Sequence, residues 1–260
     1  MNGNKLLIFN GLPFLVFQSK PIPKFDLLAR TKLRRHMYFK LSNTAEKENL
    51  ERMTKASFKY PNLYKPQYII HGLKEVTIPI ITMEDHKELS LAIWGLLPEN
   101  HTDDWSLFQD SFNTLNFHET SMDSGLWYTK SLVDRRCLIP VTGYFTTFIE
   151  NGEAYHFKIG LKNGNPFYLA GIYTVLEDGF ITCSLLVGQS NDFIKQVQNV
   201  VDTMPITISD DIMEEWLSLK TTPLRTRQIL KKHIEQDFRA TSISDSYYNY
   251  GNTELFLNRP

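Results

Sequence analysis

Cysteine is scarce in this chain of 260 residues, which contains only Cys137 and Cys183. No CxxC pair is present, so the sequence offers neither a disulfide framework nor a cysteine motif for zinc. The seven histidines show no HxxxH or other ligand spacing, and we therefore expect no metal site and no cofactor. The low cysteine count is typical of a reducing compartment, so we expect a cytoplasmic protein.

Long apolar runs and a net charge are also missing. No stretch reaches the roughly 18 residues that cross a bilayer, so we expect no membrane partner. The apolar segment after Lys5 is interrupted by Asn10, Gly11 and Pro13, and no A-x-A-like cleavage site follows, which disfavours a signal peptide. The chain has 28 Lys and Arg against 29 Asp and Glu. DNA binding would therefore require a local basic groove.

The chain changes character near residue 37. Residues 1–36 lack clear hydrophobic periodicity and end in the basic cluster ARTKLRRH. We interpret them as a poorly ordered extension, or as sequence upstream of the true start codon. Residues 37–260 are interpreted as one domain, because 42% of the chain is hydrophobic and can fill a sizeable core.

The patterns within residues 37–260 predict a strand-rich α+β domain built from antiparallel hairpins. Asn151-Gly152 is a strong hairpin signal, and a second turn is expected near Asp178-Gly179. A helix is predicted over 42–58, with Ser42 or Asn43 as its N-cap. Shorter helices are predicted over 192–201, 210–219 and 225–236, and MPITIS at 204–209 is predicted to be a strand.

Six segments occur in a fixed order from residue 37 to residue 245. They are IWGLLP at 93–98, TLNFHET at 114–120, RRCLIPVTGYF at 135–145, NPFYLAGIY at 165–173, MPITI at 204–208 and ATSIS at 240–244. Together they resemble the SRAP family (SOS-response-associated peptidase, the abasic-site processing proteins). The resemblance implies a barrel-like sheet core with a few flanking helices, and a role in the DNA damage response.

The resemblance also implies a specific chemistry. An N-terminal cysteine of the family traps the ring-opened aldehyde of an abasic site in single-stranded DNA as a thiazolidine. MYFKLS resembles the family's Met-Cys start, but Tyr38 stands at the cysteine position. Thr146 stands where the family has a glutamate. Gln198, or Val201 with another spacing, stands at its histidine, and Asn116 matches the orienting asparagine. No reagent of this chemistry is therefore intact, since a thiazolidine needs a 1,2-aminothiol.

The family's DNA-contacting positions are also changed. His118 and Thr203 stand in place of two arginines, and Asn100 replaces a base-stacking tryptophan. The candidate DNA-binding residues that remain are Lys40, Asn116, His118 and Arg135. Trp105 could stack on a base only if its loop took a different path.

Ordinary structural roles are the alternative for several of these residues. Trp94, Tyr144 and Phe145 alternate along strands and are expected in the core. Arg135-Arg136 is more often a solvated pair than a phosphate clamp.

These residues leave three hypotheses open. The first is a catalytically degenerate SRAP module that binds single-stranded or abasic DNA weakly, or a protein partner. The second is an active crosslinking or lyase enzyme that uses non-standard residues, with the Lys40 amine as nucleophile. This one requires a depressed Lys40 pKa. The third is a protein-binding module without DNA contact.

Overall fold

The computed structural model describes residues 6–9, 12–15, 38–123, 125–232 and 236–250. Contacts divide the chain into two units, Met1–His36 and Met37–Pro260. In the first unit, β1 (Leu6–Phe9) pairs with β2 (Leu12–Leu15) in an antiparallel hairpin. The rest of the predicted N-terminal extension lies outside the described residues.

The second unit contains both strands and short helices. Its strands are β3 Lys40–Asn43, β4 Ser57–Phe58, β5 Gln67–His71, β6 Thr77–Thr82, β7 Glu88–Trp94, β8 Asn116–His118, β9 Arg136–Val141, β10 Gly143–Glu150, β11 Glu153–Leu161, β12 Phe167–Val175, β13 Ile181–Gln189, β14 Thr203–Pro205, β15 Thr207–Ile208 and β16 Phe238–Ile243. Its α-helices are α1 Lys47–Thr54, α2 Trp105–Ser111, α3 Ser131–Asp134, α4 Asp192–Lys195, α5 Met213–Leu217, α6 Pro223–Lys231 and α7 Asp245–Tyr250. Two 3₁₀ helices span Glu119–Asp123 and Trp127–Lys130.

The strand-rich α+β fold and its barrel-like core are confirmed. Strands β13, β12, β9, β6 and β7 pair in that order, and β7 returns to β13 through a parallel pairing that closes the ring. Such closure removes the exposed strand edges of an open sheet. Most pairings are antiparallel, but β8 also runs parallel to β13.

A second sheet of five strands, in the order β16-β11-β10-β3-β5, positions the candidate site. The turn that joins β10 to β11 consists of Asn151 and Gly152, both with positive φ (52° and 84°), which confirms the predicted hairpin. β10 starts at Gly143, where a Cβ would approach the Ile159 carbonyl oxygen to 2.6 Å. Only glycine therefore fits at this point of the family motif.

Several predicted boundaries are wrong. The helices predicted over 192–201, 210–219 and 225–236 are the shorter α4, α5 and α6. Ser42 and Asn43 belong to β3, and the first helix begins at Lys47 after Glu46, whose side chain makes no cap hydrogen bond. Pairing of Ser42 with Gly143 and a 2.9 Å hydrogen bond from Asn43 to the Pro140 carbonyl outweigh the local capping preference. The MPITIS strand is broken into β14 and β15.

Candidate functional site

Tyr38 lies just before β3, and its ring is buried at the end of the main hydrophobic core. It packs edge-to-face against Tyr144, with ring centroids 5.5 Å apart. Its hydroxyl lies within hydrogen-bond distance of two acceptors, Gln198 Oε1 and the Thr203 carbonyl oxygen (2.8 Å for the latter), which share its single proton. The residue expected at the family's cysteine position is thus joined directly to Gln198, one of the two residues expected at its histidine position; the other, Val201, contributes only a backbone carbonyl oxygen to Gln198.

Gln198 follows α4 and uses its whole amide group. Its Oε1 accepts from Tyr38, and its Nε2 donates to the carbonyl oxygens of Val201 (2.9 Å) and Thr203 (2.7 Å). Gln198 is 5% exposed. An amide suits this place because it both donates and accepts without carrying a charge.

Thr146 and Asn116 complete this group. The Thr146 hydroxyl donates to the Val197 carbonyl oxygen at 2.8 Å from the middle of β10. Asn116, at the start of β8, donates through Nδ2 to the Tyr38 carbonyl oxygen at 2.7 Å. The structure therefore brings together the four predicted positions, which we name the neutral cluster: Tyr38, Asn116, Thr146 and Gln198.

The neutral cluster holds no ionised group at neutral pH. Burial raises the Tyr38 pKa well above its ordinary value, with a smaller rise from Tyr144 and a lowering by the Gln198 hydrogen bond. Threonine, asparagine and glutamine do not titrate near pH 7. The cluster can orient and hydrogen-bond a ligand, but it cannot supply a general base or a thiol nucleophile.

Lys40, a candidate DNA-binding residue, lies under α7 and is only 3% exposed. Its Nζ donates to the Tyr248 carbonyl oxygen at 2.5 Å and lies 3.4 Å from the centroid of the Tyr248 ring. Burial lowers the Lys40 pKa to about 8, against a raising effect of Asp245. The lowered pKa meets the requirement of the amine-nucleophile hypothesis, while the contacts with Tyr248 occupy the amine.

The groups around Lys40 were not predicted from the sequence. His156 stacks on the Tyr248 ring at 3.7 Å, and its Nε2 lies 3.1 Å from Asp245 Oδ1. Its Nδ1 lies 2.9 Å from the Thr147 hydroxyl. Burial lowers the His156 pKa, although Asp245 opposes this. The one sequence signal for this region was the short ATSIS match, which lies directly before α7.

His118 and Arg135 are in different surroundings from Lys40. His118 is half-buried at the end of β8, and its Nδ1 lies 2.8 Å from the Thr120 hydroxyl. Arg135 lies 3.6 Å from Glu84 and 3.6 Å from Glu99, at the start of β9. Those two carboxylates compete with any phosphate for this guanidinium.

Arg136 is not a solvated residue, contrary to the expectation for the Arg135-Arg136 pair. It is fully buried, and its guanidinium donates to four backbone carbonyl oxygens at 2.6–2.8 Å, those of Leu132, Val133, Trp216 and Ser218. A guanidinium with its donors used in this way ties the start of β9 to α3 and α5. It has no role in phosphate binding in this arrangement.

The expected core residues are in the core. Trp94 and Tyr144 are fully buried and Phe145 is 3% exposed, which confirms their structural interpretation. Trp105 is also buried, at 6% exposure, so it does not present a surface for base stacking. Asn100 lies on the exposed loop before it.

Among residues 38–123, 125–232 and 236–250, no group of three or more His, Cys, Asp and Glu side chains is placed to hold a metal ion. In that same part of the chain, no helix is long and apolar enough to span a bilayer.

Curated relatives match most of the second unit. Abasic site processing protein YoqW of Bacillus subtilis is 24% identical over 187 residues, which cover 70% of this chain and 80% of the relative. Abasic site processing protein YobE of the same organism is also 24% identical over 187 residues, covering 70% of this chain and 82% of YobE.

Solved structures show the same fold. A protein from Bacteroides thetaiotaomicron superposes with a TM-score of 0.73 at 21% identity, covering 81% of this chain and 94% of that protein. One from Bordetella bronchiseptica has a TM-score of 0.64 at 16% identity, covering 79% and 99%. The model of the SOS response associated peptidase (SRAP) family matches residues 37–249. The chain therefore belongs to the SRAP family.

Proposed function

We propose that this chain is a catalytically degenerate member of the SRAP family that binds its ligand without forming a covalent bond. Its ligand is single-stranded or abasic DNA, held weakly through Asn116 and His118, or a protein partner. The names of the two Bacillus relatives support the connection with abasic sites. A protein-binding role without DNA contact is the remaining alternative.

The hydrogen bond between Tyr38 and Gln198 carries this proposal. Two positions that the family resemblance assigns to a thiol nucleophile and a proton-transferring histidine hold a phenol and an amide instead. Their polar atoms bond to each other and to backbone carbonyl oxygens. The Tyr38–Gln198 pair is therefore buried and satisfied, whereas Asn116 Oδ1 of the neutral cluster is buried without a partner among the described residues. The satisfied pair supports replacement of the reaction centre by a structural arrangement.

The chemistry of the nucleophile supports the same conclusion. A thiazolidine forms from a free amine and a thiol on adjacent carbons, and Tyr38 has no thiol. Burial raises the pKa of both described cysteine thiols, Cys137 and Cys183, and both are fully buried. A buried thiol with a raised pKa is a poor nucleophile, so neither offers a substitute.

The decisive experiment is incubation with an oligonucleotide that carries one abasic site, followed by a denaturing gel after boiling. We expect no shifted band from the full chain or from a chain that begins at Met37. A peptide with an N-terminal cysteine serves as a positive control for trapping of the aldehyde, and an undamaged oligonucleotide serves as the negative control. A heat-stable band that requires the abasic site would contradict the proposal.

A second candidate function is a lyase that uses the Lys40 amine, favoured by the lowered pKa of this buried residue. A neutral amine can attack an aldehyde to form a Schiff base. Borohydride reduction during incubation with abasic DNA would trap it. The matched control is Lys158→Met, since burial and Arg239 lower the Lys158 pKa to about 8 as well.

The two candidates give different results in this experiment. Trapping that is lost in Lys40→Met and kept in Lys158→Met would establish the lyase. We expect no trapping in the wild type, in Lys40→Met or in Lys158→Met, because Tyr248 covers the Lys40 amine.

A further inference from the structure

A group of apolar side chains lies on α2, just after it, and at the start of the second 3₁₀ helix; all are exposed except Phe108, which is partly buried. We name it the aromatic patch; its members are Leu107, Phe108, Phe112, Leu126 and Trp127. Phe112 is 67% exposed, Leu107 is 66% exposed and Trp127 is 43% exposed. The ring centroid of Phe108 lies 5.7 Å from that of Phe112 and 6.4 Å from that of Trp127. The aromatic members of the patch are therefore contiguous.

The short helix α2 carries one apolar stripe toward the barrel. Trp105 and Gln109 are buried and attach the helix there, and Phe108, on the same stripe, is partly buried against the main core. Phe112, which ends this stripe just after the helix, is exposed, and so is Leu107 on the opposite side of α2. Packing within the described residues does not account for these two exposed side chains, and clustered exposed aromatic residues are typical of interaction sites.

The charge around the aromatic patch is mainly negative. Residues 99–129 contain six Asp or Glu residues and no Lys or Arg. Lys130, the next residue, ends the 3₁₀ helix that begins at Trp127 and pairs with Asp134 at 3.5 Å, while Glu99 pairs with Arg135 at 3.6 Å. Asp103, Asp104 and Asp110 are exposed on α2 or just before it. Hydrogen bonds from Ser106 and Leu107 lower the Asp104 pKa, so this N-cap carboxylate stays ionised. The surface is apolar in its centre and negative at its rim.

We propose that the aromatic patch is a docking surface for an apolar segment of a partner protein that carries Lys or Arg beside its apolar residues. Exposed aromatic side chains supply the buried anchors that dominate such interfaces. The acidic rim attracts a basic segment and fixes its orientation. This inference goes beyond the proposed function, because it requires neither DNA nor the neutral cluster.

The same charges disfavour two other occupants. Bases of single-stranded DNA stack on aromatic side chains, but their phosphates need a positive groove, and residues 99–129 provide none. A second copy of this chain, related by a two-fold axis, would bring two acidic rims together, and like charges across an interface are costly. A basic peptide segment with apolar residues is the ligand that complements both the apolar side chains of the aromatic patch and its acidic rim.

The test uses the full chain and a fluorescein-labelled synthetic helix of 16 residues, with Leu and Trp on one face and Lys and Arg on the other. Matched probes are the same peptide with Glu in place of Lys and Arg, and a 15-nucleotide oligo-dT. We expect micromolar binding of the basic peptide, weakened by salt, and much weaker binding of the other two. Phe112→Ala and Trp127→Ala should each lower the affinity about tenfold, as anchors at interface centres do.

Phe180→Ala is the matched control, because Phe180 is 62% exposed at a turn outside the patch. It should leave the affinity unchanged. Asp103→Lys should weaken basic-peptide binding and strengthen acidic-peptide binding, a readout that unfolding would not produce. Three results would overturn the proposal: no binding of the basic peptide at about 1 mM, an equal loss in Phe180→Ala, or a dimer in sedimentation that Phe112→Ala dissociates.

Discussion

The two faces of the five-stranded sheet differ in how they hold polar groups. Along β10, Tyr144 and Thr146 point to the face that holds the neutral cluster, while Phe145 and Thr147 point to the face beneath α7. We name the second one the charged face; it carries Lys40, His156 and Lys158, with Asp245 on α7. Its basic side chains Lys40, His156 and Lys158 have lowered pKa values because burial desolvates them. On the neutral face, every cluster member stays uncharged.

Under the proposed function, this difference accounts for the absence of covalent chemistry. A reaction centre keeps titratable groups close to where the substrate binds, even at a cost in stability. The face expected to hold the family's reagents carries a set of neutral hydrogen bonds. The titratable groups lie on the other face, where α7 covers them and Tyr248 contacts Lys40 and His156.

The largest expected effect comes from restoring the reagents to the neutral face. In a Tyr38→Cys chain that begins at Met37, removal of that methionine leaves the substituted residue at the N-terminus. Its free amine and its thiol then form a 1,2-aminothiol. We expect this single change to crosslink abasic DNA slowly. The triple change Tyr38→Cys, Thr146→Glu and Gln198→His should be faster, because each acid–base group contributes about 10²–10⁴-fold. Single-turnover crosslinking rates on denaturing gels measure the difference.

The stability of each variant has to be measured alongside these rates. Tyr38→Cys also removes a buried ring, which costs about 3–5 kcal/mol in comparable cores. A folded fraction determined by urea titration corrects the rate for this loss. Equal corrected rates for the single and triple variants would show that Thr146 and Gln198 do not occupy functional positions.

The next effect in size separates two tyrosines of the neutral face. Tyr38→Phe leaves Gln198 Oε1 without its donor, so we expect a loss of about 1–3 kcal/mol in the free energy of unfolding. Tyr144 is its matched control: it is fully buried, and its hydroxyl has no hydrogen-bond partner among the described residues. Tyr144→Phe should be neutral or slightly stabilising. Similar losses in both variants would contradict the network.

Much of this architecture follows from local sequence signals. The Asn151-Gly152 turn and the alternation along β10 each depend on a few neighbouring residues, and the ordered motifs indicated the barrel. The Tyr38–Gln198 bond joins residues 160 positions apart, and only the completed fold brings them together. Burial of Arg136 was missed for the same reason, since a charged side chain is expected at the surface unless its acceptors are known.

A smaller effect is expected from the charged face, where the lysines should make the free energy of unfolding depend on pH. The folded Lys40 pKa of about 8 lies below the ordinary value of 10.5. Between these values the unfolded chain binds more protons than the folded chain, so stability rises with pH across this window. In Lys40→Met this contribution is lost. The free energy of unfolding of the wild type, minus that of the variant, should therefore rise by about 1–2 kcal/mol from pH 7.5 to pH 10.

Variants on both faces serve as controls for this measurement. Lys158→Met should show a change of the same sign, because its pKa is also lowered to about 8. Tyr38→Phe should differ from the wild type by a constant amount up to about pH 9.5, since the raised Tyr38 pKa keeps the phenol neutral there. A constant difference for both lysine variants would mean that neither ammonium is desolvated in the folded protein.

The smallest expected effects concern single-stranded DNA. On single strands, log K falls with log salt concentration by about 0.7 for each neutralised phosphate, so a protein with few phosphate contacts shows a shallow slope. Lys40 is covered by Tyr248, and Arg135 lies between Glu84 and Glu99. We therefore expect micromolar or weaker affinity at physiological salt, with changes below about twofold in Lys40→Met and Arg135→Gln. Fluorescence anisotropy of a labelled oligonucleotide at several salt concentrations provides both quantities. Nanomolar affinity with a steep slope would show that other cations form a DNA groove, and a large loss in Lys40→Met would mean that α7 leaves the charged face when DNA binds.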